Sequence, residues 1–170
     1  KATYALYDAR GKTIADALDK ISRKMGLIVS LAHCNVLLVS PIVLKLDHLQ
    51  LIYPLTGMYA LPEQAILVSG ENSPKDIMAL RLGTTLSAPF FLQQALANEE
   101  GSDGMIRTTV KDFAARSLAR SHACAIPYIV ASKMPKPPMT EQGSGEETCE
   151  IDLSRALVFN HEKCQIIEGE

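Results

Sequence analysis

The side chains of this chain with the greatest chemical reactivity are four cysteines and four histidines. Cys149, His161 and Cys164 lie within sixteen positions of one another, and thiolate and imidazole groups are ligands that zinc prefers. Four further residues could complete such a site: His33, Cys34, His122 and Cys124. Zinc sites usually take their ligands as closely spaced pairs, and only His161 and Cys164 are spaced in that way. We therefore predict no metal site.

A disulfide is the second chemistry open to the same cysteines. Residues 156–159 and 164–167 are apolar runs around the polar segment NHEK, which is typical of a β-hairpin. A Cys149–Cys164 disulfide across neighbouring strands is expected if the chain occupies an oxidising compartment. In a reducing compartment both would be free thiols, and the third alternative is that they are ordinary small apolar side chains.

The segment ARGKT, residues 9–13, is a candidate phosphate-binding loop. It stands between a predicted strand and a predicted helix, as such a loop does. However, Leu6 occupies the position where the motif requires its first glycine, so the backbone cannot wrap around phosphates. We interpret Thr13 as a helix cap and predict no cofactor.

A basic helix face is the remaining candidate. Lys111, Arg116 and Arg120 lie on one predicted helix, and such a face binds phosphate or an acidic partner; a solvated helix surface has the same pattern. His48 and His122 have no partner at a diagnostic spacing. No nucleophile elbow, zinc-protease, paired-carboxylate or dinucleotide signature is present. Catalytic residues therefore stay unidentified, and the sequence favours a protein that is not an enzyme.

Composition narrows the class of protein further. The chain has 170 residues, 47% of them hydrophobic, with a net charge of −2, which predicts a soluble globular domain without a field that attracts nucleic acid. The apolar stretch Leu27–Leu44 is interrupted by Asn35 and Pro41, so we predict two buried strands and no membrane insertion. We treat residues 1–170 as one domain, with a division into 1–75 and 76–170 left open. The oligomeric state is not determined.

The predicted fold is α+β, a small mixed sheet covered by helices, with an N-terminal β-α-β unit and a C-terminal hairpin. Residues 4–7 and 27–32 are the predicted strands of that unit, and Ile14–Met25 is its helix. Further strands are predicted over 36–40, within 41–54 with alternation through Leu44, Leu46 and Leu49, and over 127–132. Helices are predicted over 61–70, 76–82, 90–100 and 110–123. Residues 134–147, rich in Pro, Gly and Glu, are a predicted loop.

The segment YDARGKTIADALDKISRKMGLIVS resembles the short N-terminal domain found on bacterial secretins and TonB-dependent transducers. Tyr7, Asp8, Ile14–Leu18, Gly26 and Leu27 follow that family's order. The segment PLTGMYALPEQAILVSG resembles its second unit, so the resemblance covers residues 4–75. It implies two β-α-β units and a role in docking partner proteins in the periplasm, without catalysis or cofactor.

Two hypotheses about function follow. The first is a non-enzymatic protein-interaction domain, periplasmic if the resemblance holds, with protein as its partner. The second is a small α+β enzyme or ligand-binding domain whose site is assembled from residues distant in the sequence.

Overall fold

A computed structural model describes residues 5–44, 48–80, 82, 87–97, 106–119, 123–133, 149–160 and 164–168 of the chain. The helices are α1 (Ile14–Met25), α2 (Pro41–Leu44), α3 (His48–Met58), α4 (Pro74–Met78), α5 (Ala88–Ala97) and α6 (Val110–Leu118). The strands are β1 (Val36–Leu38), β2 (Ile66–Gly70), β3 (Cys124–Lys133), β4 (Cys149–Phe159) and β5 (Cys164–Glu168).

The five strands form one mixed sheet in the order β1-β2-β3-β4-β5. β1, β2 and β3 run parallel to one another, so helices must cross over between them, whereas β4 and β5 follow as antiparallel neighbours. This arrangement confirms the predicted α+β class. It also confirms the C-terminal hairpin, in which Phe159 pairs with Cys164.

The strand β2 is buried along its whole length, because apolar side chains pack against both of its faces. Leu67 points to one face, where it joins residues of α3 and α6 in the first core cluster, with α1 packed at its margin. Ile66 and Val68 point to the other face, where they join residues of α4 and α5 in the second cluster. β2 therefore has no alternation of buried and exposed residues, as expected for a parallel strand between two layers. Its one polar side chain, Ser69, donates its buried hydroxyl to the Val39 carbonyl oxygen at 2.8 Å.

β2 and β3 separate toward their amino ends, and residues 108–110 fill the wedge between them. The two strands pair only where Ser69 and Gly70 meet Tyr128 and Ile129. On the amino-terminal side of this pairing, the Leu67 N–H donates to the carbonyl oxygen of Thr108 at 2.9 Å. The Thr108 hydroxyl in turn donates to the carbonyl oxygen of Ala125 at 2.6 Å. Thr108 thus connects both strands through one residue that is 1% exposed.

The wedge also explains a proline inside a central strand. Pro127 lacks the N–H that a ladder needs and is therefore rare in such positions. Backbone groups at every second residue of a strand point to the same side, so Pro127 points to the side on which Ala125 accepts the Thr108 hydroxyl. Direct pairing of β2 with β3 begins only at the next residue, Tyr128, so Pro127 lies at the margin of that ladder.

Replacing Thr108 with valine should test the wedge. The substitution keeps the shape of the side chain but leaves the buried Ala125 carbonyl without its donor, so we expect a loss of about 1–3 kcal/mol in the free energy of unfolding. Urea denaturation measures it. Thr56→Val is the matched control, because the Thr56 hydroxyl bonds only to carbonyls of its own helix, and it should change stability by less than about 0.5 kcal/mol. Equal losses in the two variants would contradict the structural role of Thr108.

The helix α1 has the predicted bounds and caps. The Thr13 hydroxyl accepts the Asp16 N–H at 3.1 Å, and Gly26 ends the helix in the left-handed conformation with φ 69°. α1 buries no residue completely and packs Ile14 and Leu18 against the first core cluster.

The strands predicted on either side of α1 are absent from the described residues 5–12 and 27–32. A β-α-β arrangement is present, but β1, α2, α3 and β2 build it, so the unit begins after α1. The first sheet strand is the VLL segment at Val36–Leu38, within the predicted strand 36–40.

In the middle of the chain, one predicted strand is a helix and one predicted helix is a strand. Residues 48–58 form a helix with Pro54 inside it instead of a strand, and Ile66–Gly70 form the central strand β2 instead of a helix. Short apolar runs cannot be assigned from periodicity alone, and both segments are of that kind. The side chains of Ser73 and Thr109 cap the amino ends of α4 and α6, two helices that the sequence predicted. The predicted loop 134–147 lies outside the described residues.

Candidate binding groove

The hairpin does not bring the two candidate disulfide cysteines together. Cys149 pairs with Lys133 at the beginning of β4, whereas Cys164 pairs with Phe159 at its end. Ten residues of extended strand separate these positions, a distance of about 34 Å. The expected cross-strand disulfide between Cys149 and Cys164 is therefore not formed in this arrangement, and Cys149 is a free cysteine. Within the described parts of the chain, no three His, Cys, Asp or Glu side chains form a group that could hold a metal ion.

Two of the three residues of the predicted basic face lie in the described part of the chain. Lys111 and Arg116 are exposed on α6, and Arg120 lies outside the described residues. Five residues along a helix correspond to a rotation of about 140°, so these two cations point in different directions. His33 is exposed beside β1.

The ARGKT segment uses its polar groups to begin α1. The Lys12 N–H donates to the Asp16 carboxylate at 2.9 Å, and the Lys20 ammonium pairs with the same carboxylate at 2.9 Å. The Lys20 and Lys12 hydrogen bonds hold the pKa of Asp16 below its usual value. This supports the interpretation of the segment as a capped helix start.

An apolar groove lies between the edge strand β1 and the helices α4 and α5. Its volume is about 340 Å³, which falls in the range of ligand-sized clefts. The apolar lining residues are Val36, Leu38, Pro74, Met78, Pro89 and Leu92. The polar lining residues are Cys34, Asn35 and Gln93. None of the nine carries a formal charge at neutral pH. The sequence contained no motif for this groove, because its walls come from segments up to about sixty residues apart.

Two of the β1 residues that line this groove, Val36 and Leu38, also have backbone groups on the outer edge of the sheet. The Ile66 N–H donates to the Asn35 carbonyl oxygen, and the Val39 N–H donates to the Val68 carbonyl oxygen, both at 2.8 Å. Because backbone groups alternate sides along a strand, those of Val36 and Leu38 point away from β2. β1 is an edge strand of the sheet, so this is its outer side.

Cys34 satisfies one of these outward groups. Its thiol donates to the Val36 carbonyl oxygen at 3.2 Å. Burial raises the pKa of the Cys34 thiol, and the hydrogen bond to Val36 lowers it by less. The thiol is therefore protonated and neutral at pH 7, and it is a poor nucleophile there, since the thiolate is the reactive form.

Cys124 lies in the first core cluster and should make stability depend on alkaline pH. Burial raises its pKa to about 11, above its usual value of 9.0. Between pH 9 and pH 11 the unfolded thiol is ionised while the folded one keeps its proton, so the free energy of unfolding should fall as pH rises through this window. Urea midpoints at several pH values measure the slope. Cys124→Ala should have a shallower slope, and an equal slope would show that other groups cause the fall.

None of the helices in the described portion of the chain is long and apolar enough to cross a membrane. The longest of them, α1, has 12 residues.

Comparison with known proteins corrects the resemblance to the secretin and TonB-dependent transducer domain. The family described as spore germination protein N-terminal domain matches residues 1–131. No curated protein and no solved structure matches the chain. The earlier resemblance was wrong because it depended on apolar spacing around α1 and on flanking strands, which the described residues 5–12 and 27–32 do not form. The periplasmic location depended on that resemblance alone and loses its support. The chain belongs to the family of spore germination protein N-terminal domains.

Proposed function

We propose that this chain is a non-enzymatic domain that acts in spore germination by binding another protein. The family match over residues 1–131 is the observation that carries the proposal. An uncharged apolar groove at a sheet edge supports it, because clefts of this kind commonly bind peptide segments. The net charge of −2 gives no support to binding of nucleic acid.

We further propose that residues 1–170 act as one domain. The family match ends at residue 131, inside β3, yet β4 pairs with β3 from Cys124–Phe159 to Lys133–Cys149. Ile151, Leu157 and Phe159 of β4 contribute to the two core clusters. The strands beyond the match therefore complete the same sheet and supply part of its core.

A complementation experiment in spores tests the function. The gene is deleted, and the full-length protein is restored with an affinity tag, either unchanged or carrying Phe113→Ala in the core of this domain. Germination is followed as the fall in optical density. We expect slower germination after deletion, recovery with the unchanged protein, and co-purification of a protein partner at constant stoichiometry from cross-linked spores. We expect less recovery with Phe113→Ala.

Two results would contradict the proposal. Unchanged germination after deletion would remove the role in germination. A tagged protein that restores germination but purifies without any partner would remove the protein-binding role, and it would favour a small uncharged ligand in the groove.

A further inference from the structure

We propose that the outer edge of β1 binds an extended, uncharged and apolar segment of a partner protein, which adds to the sheet as a sixth strand. The inference rests on the proposed protein-binding function and assigns it a site. Among known ways of recognising peptides, strand addition uses backbone hydrogen bonds for affinity and side-chain pockets for specificity. Both are present together here.

The backbone part of the site is the outward side of Val36 and Leu38. An unpaired edge is a template for another strand, and proteins usually protect such edges with charges, prolines or bulges. The three residues of β1 are Val, Leu and Leu and include no charge, proline or bulge, so the one protection of this edge is its shortness, which limits an added strand to about three paired residues. The opposite edge strand differs, because β5 ends in Glu168, which pairs with Arg155 at 3.0 Å.

The thiol of Cys34 shares one of the outward backbone groups of this edge. It already occupies the outward carbonyl oxygen of Val36, at 3.2 Å. Within the described part of the chain, no residue bonds to the Val36 N–H or to either backbone group of Leu38, so these three groups are available to an added strand. A partner segment would form up to three main-chain hydrogen bonds without displacing the thiol.

The groove supplies the side-chain part. Val36 and Leu38 pack on the side of the second core cluster, where α4 and α5 form the outer walls. Side chains of a strand alternate between its two faces, so every second side chain of an added strand would enter the groove. Its volume of about 340 Å³ is small, which limits the side chains that it holds.

Charge determines the chemistry of the occupant. The lining has no charged side chain, so a buried Lys, Arg, Asp or Glu of the partner would lose its hydration without gaining a counter-charge. Lys75 follows the lining residue Pro74, but its ammonium group is paired with the Asp8 carboxylate at 3.5 Å. An uncharged, apolar segment is therefore the complement of this groove.

Selection of peptides on the purified 170-residue chain tests the site. A phage-displayed library of ten-residue random peptides is panned on the chain, and the selected peptides are synthesised and titrated by fluorescence anisotropy. We expect apolar sequences without charge at their centre. In NMR spectra their addition should shift the amide signals of residues 34–38 and of α4 and α5.

Three variants separate the groove from the rest of the surface. Val36→Pro removes an outward N–H that makes no bond to β2, and Met78→Asp places a charge in the groove; each should weaken peptide binding at least tenfold. Met58→Asp is the matched control, because Met58 is 72% exposed and lies outside the groove lining, and it should leave affinity unchanged. Thermal unfolding confirms that each variant is folded before it is titrated.

Several outcomes would overturn the proposal. These are the absence of any peptide that distinguishes the wild-type chain from Met78→Asp, selection of charged or helical peptides, and amide shifts away from β1. If sedimentation shows a dimer that Val36→Pro dissociates, the occupant is a second copy and not another protein. If peptides fail but a partner still co-purifies from spores, the groove assignment is wrong while the proposed function stands.

Discussion

Replacing Phe113 with alanine is expected to lower the free energy of unfolding by about 3–5 kcal/mol, because it removes a large side chain and leaves a cavity. Phe113 on α6 is fully buried, and its ring lies 5.6 Å from that of Phe159, centroid to centroid, at an interplanar angle of 46°. This tilted pair joins α6 to β4, and such pairs add about 0.5–1.5 kcal/mol beyond their burial. Chemical denaturation followed by circular dichroism measures the loss.

Leu118→Ala provides the control for this experiment on the same helix. Leu118 is 65% exposed, so its truncation should change stability by less than about 0.5 kcal/mol. A similar effect of the two substitutions would show that α6 does not pack Phe113 against β4. A small effect of both would place the core of the domain elsewhere.

The second large effect is expected in β2, where adjacent residues are buried on opposite faces. Leu67 and Val68 each have 0% exposure, a property of a central strand between two layers of helices. We expect Leu67→Ala to cost about 2–5 kcal/mol and Val68→Ala about 1.5–3 kcal/mol. Urea midpoints of the two variants measure both values.

Burial along the whole of β2 distinguishes the strand from the helix that the sequence alone predicted. A surface helix over 61–70 would expose part of any five consecutive residues, because its apolar stripe covers only one side of the helix. Gln64→Ala, at an exposed position before the strand, is the control and should have little effect. A neutral Val68→Ala would contradict a strand buried on both faces.

Glycine at position 70 shows how closely α4 approaches the end of β2. A Cβ atom there would lie 2.5 Å from Cδ1 of Ile77 and 3.2 Å from the carbonyl oxygen of Ile129. α4 therefore rests directly on the β2 backbone at this point. The same helix then presents Met78 to the groove, so the close approach helps to position one wall of the proposed binding site.

The elements that were predicted correctly are those whose signals are local. Thr13, the apolar spacing of α1 and Gly26 determine a helix and both of its ends within fourteen residues. Thr109 and Asp112 form a reciprocal capping box that is equally local. The C-terminal hairpin is likewise specified by two apolar runs and a short polar turn.

The strand β2, the helix α3 and the apolar groove were decided by tertiary structure. Segments 48–58 and 66–70 are short and apolar, and whether each becomes strand or helix depends on which neighbours cover it. The sequence alone determined the α+β class, the capped helices and the absence of a known catalytic motif. It could not determine the groove, because an uncharged cleft at a sheet edge exists only once β1, α4 and α5 have packed around the second core cluster.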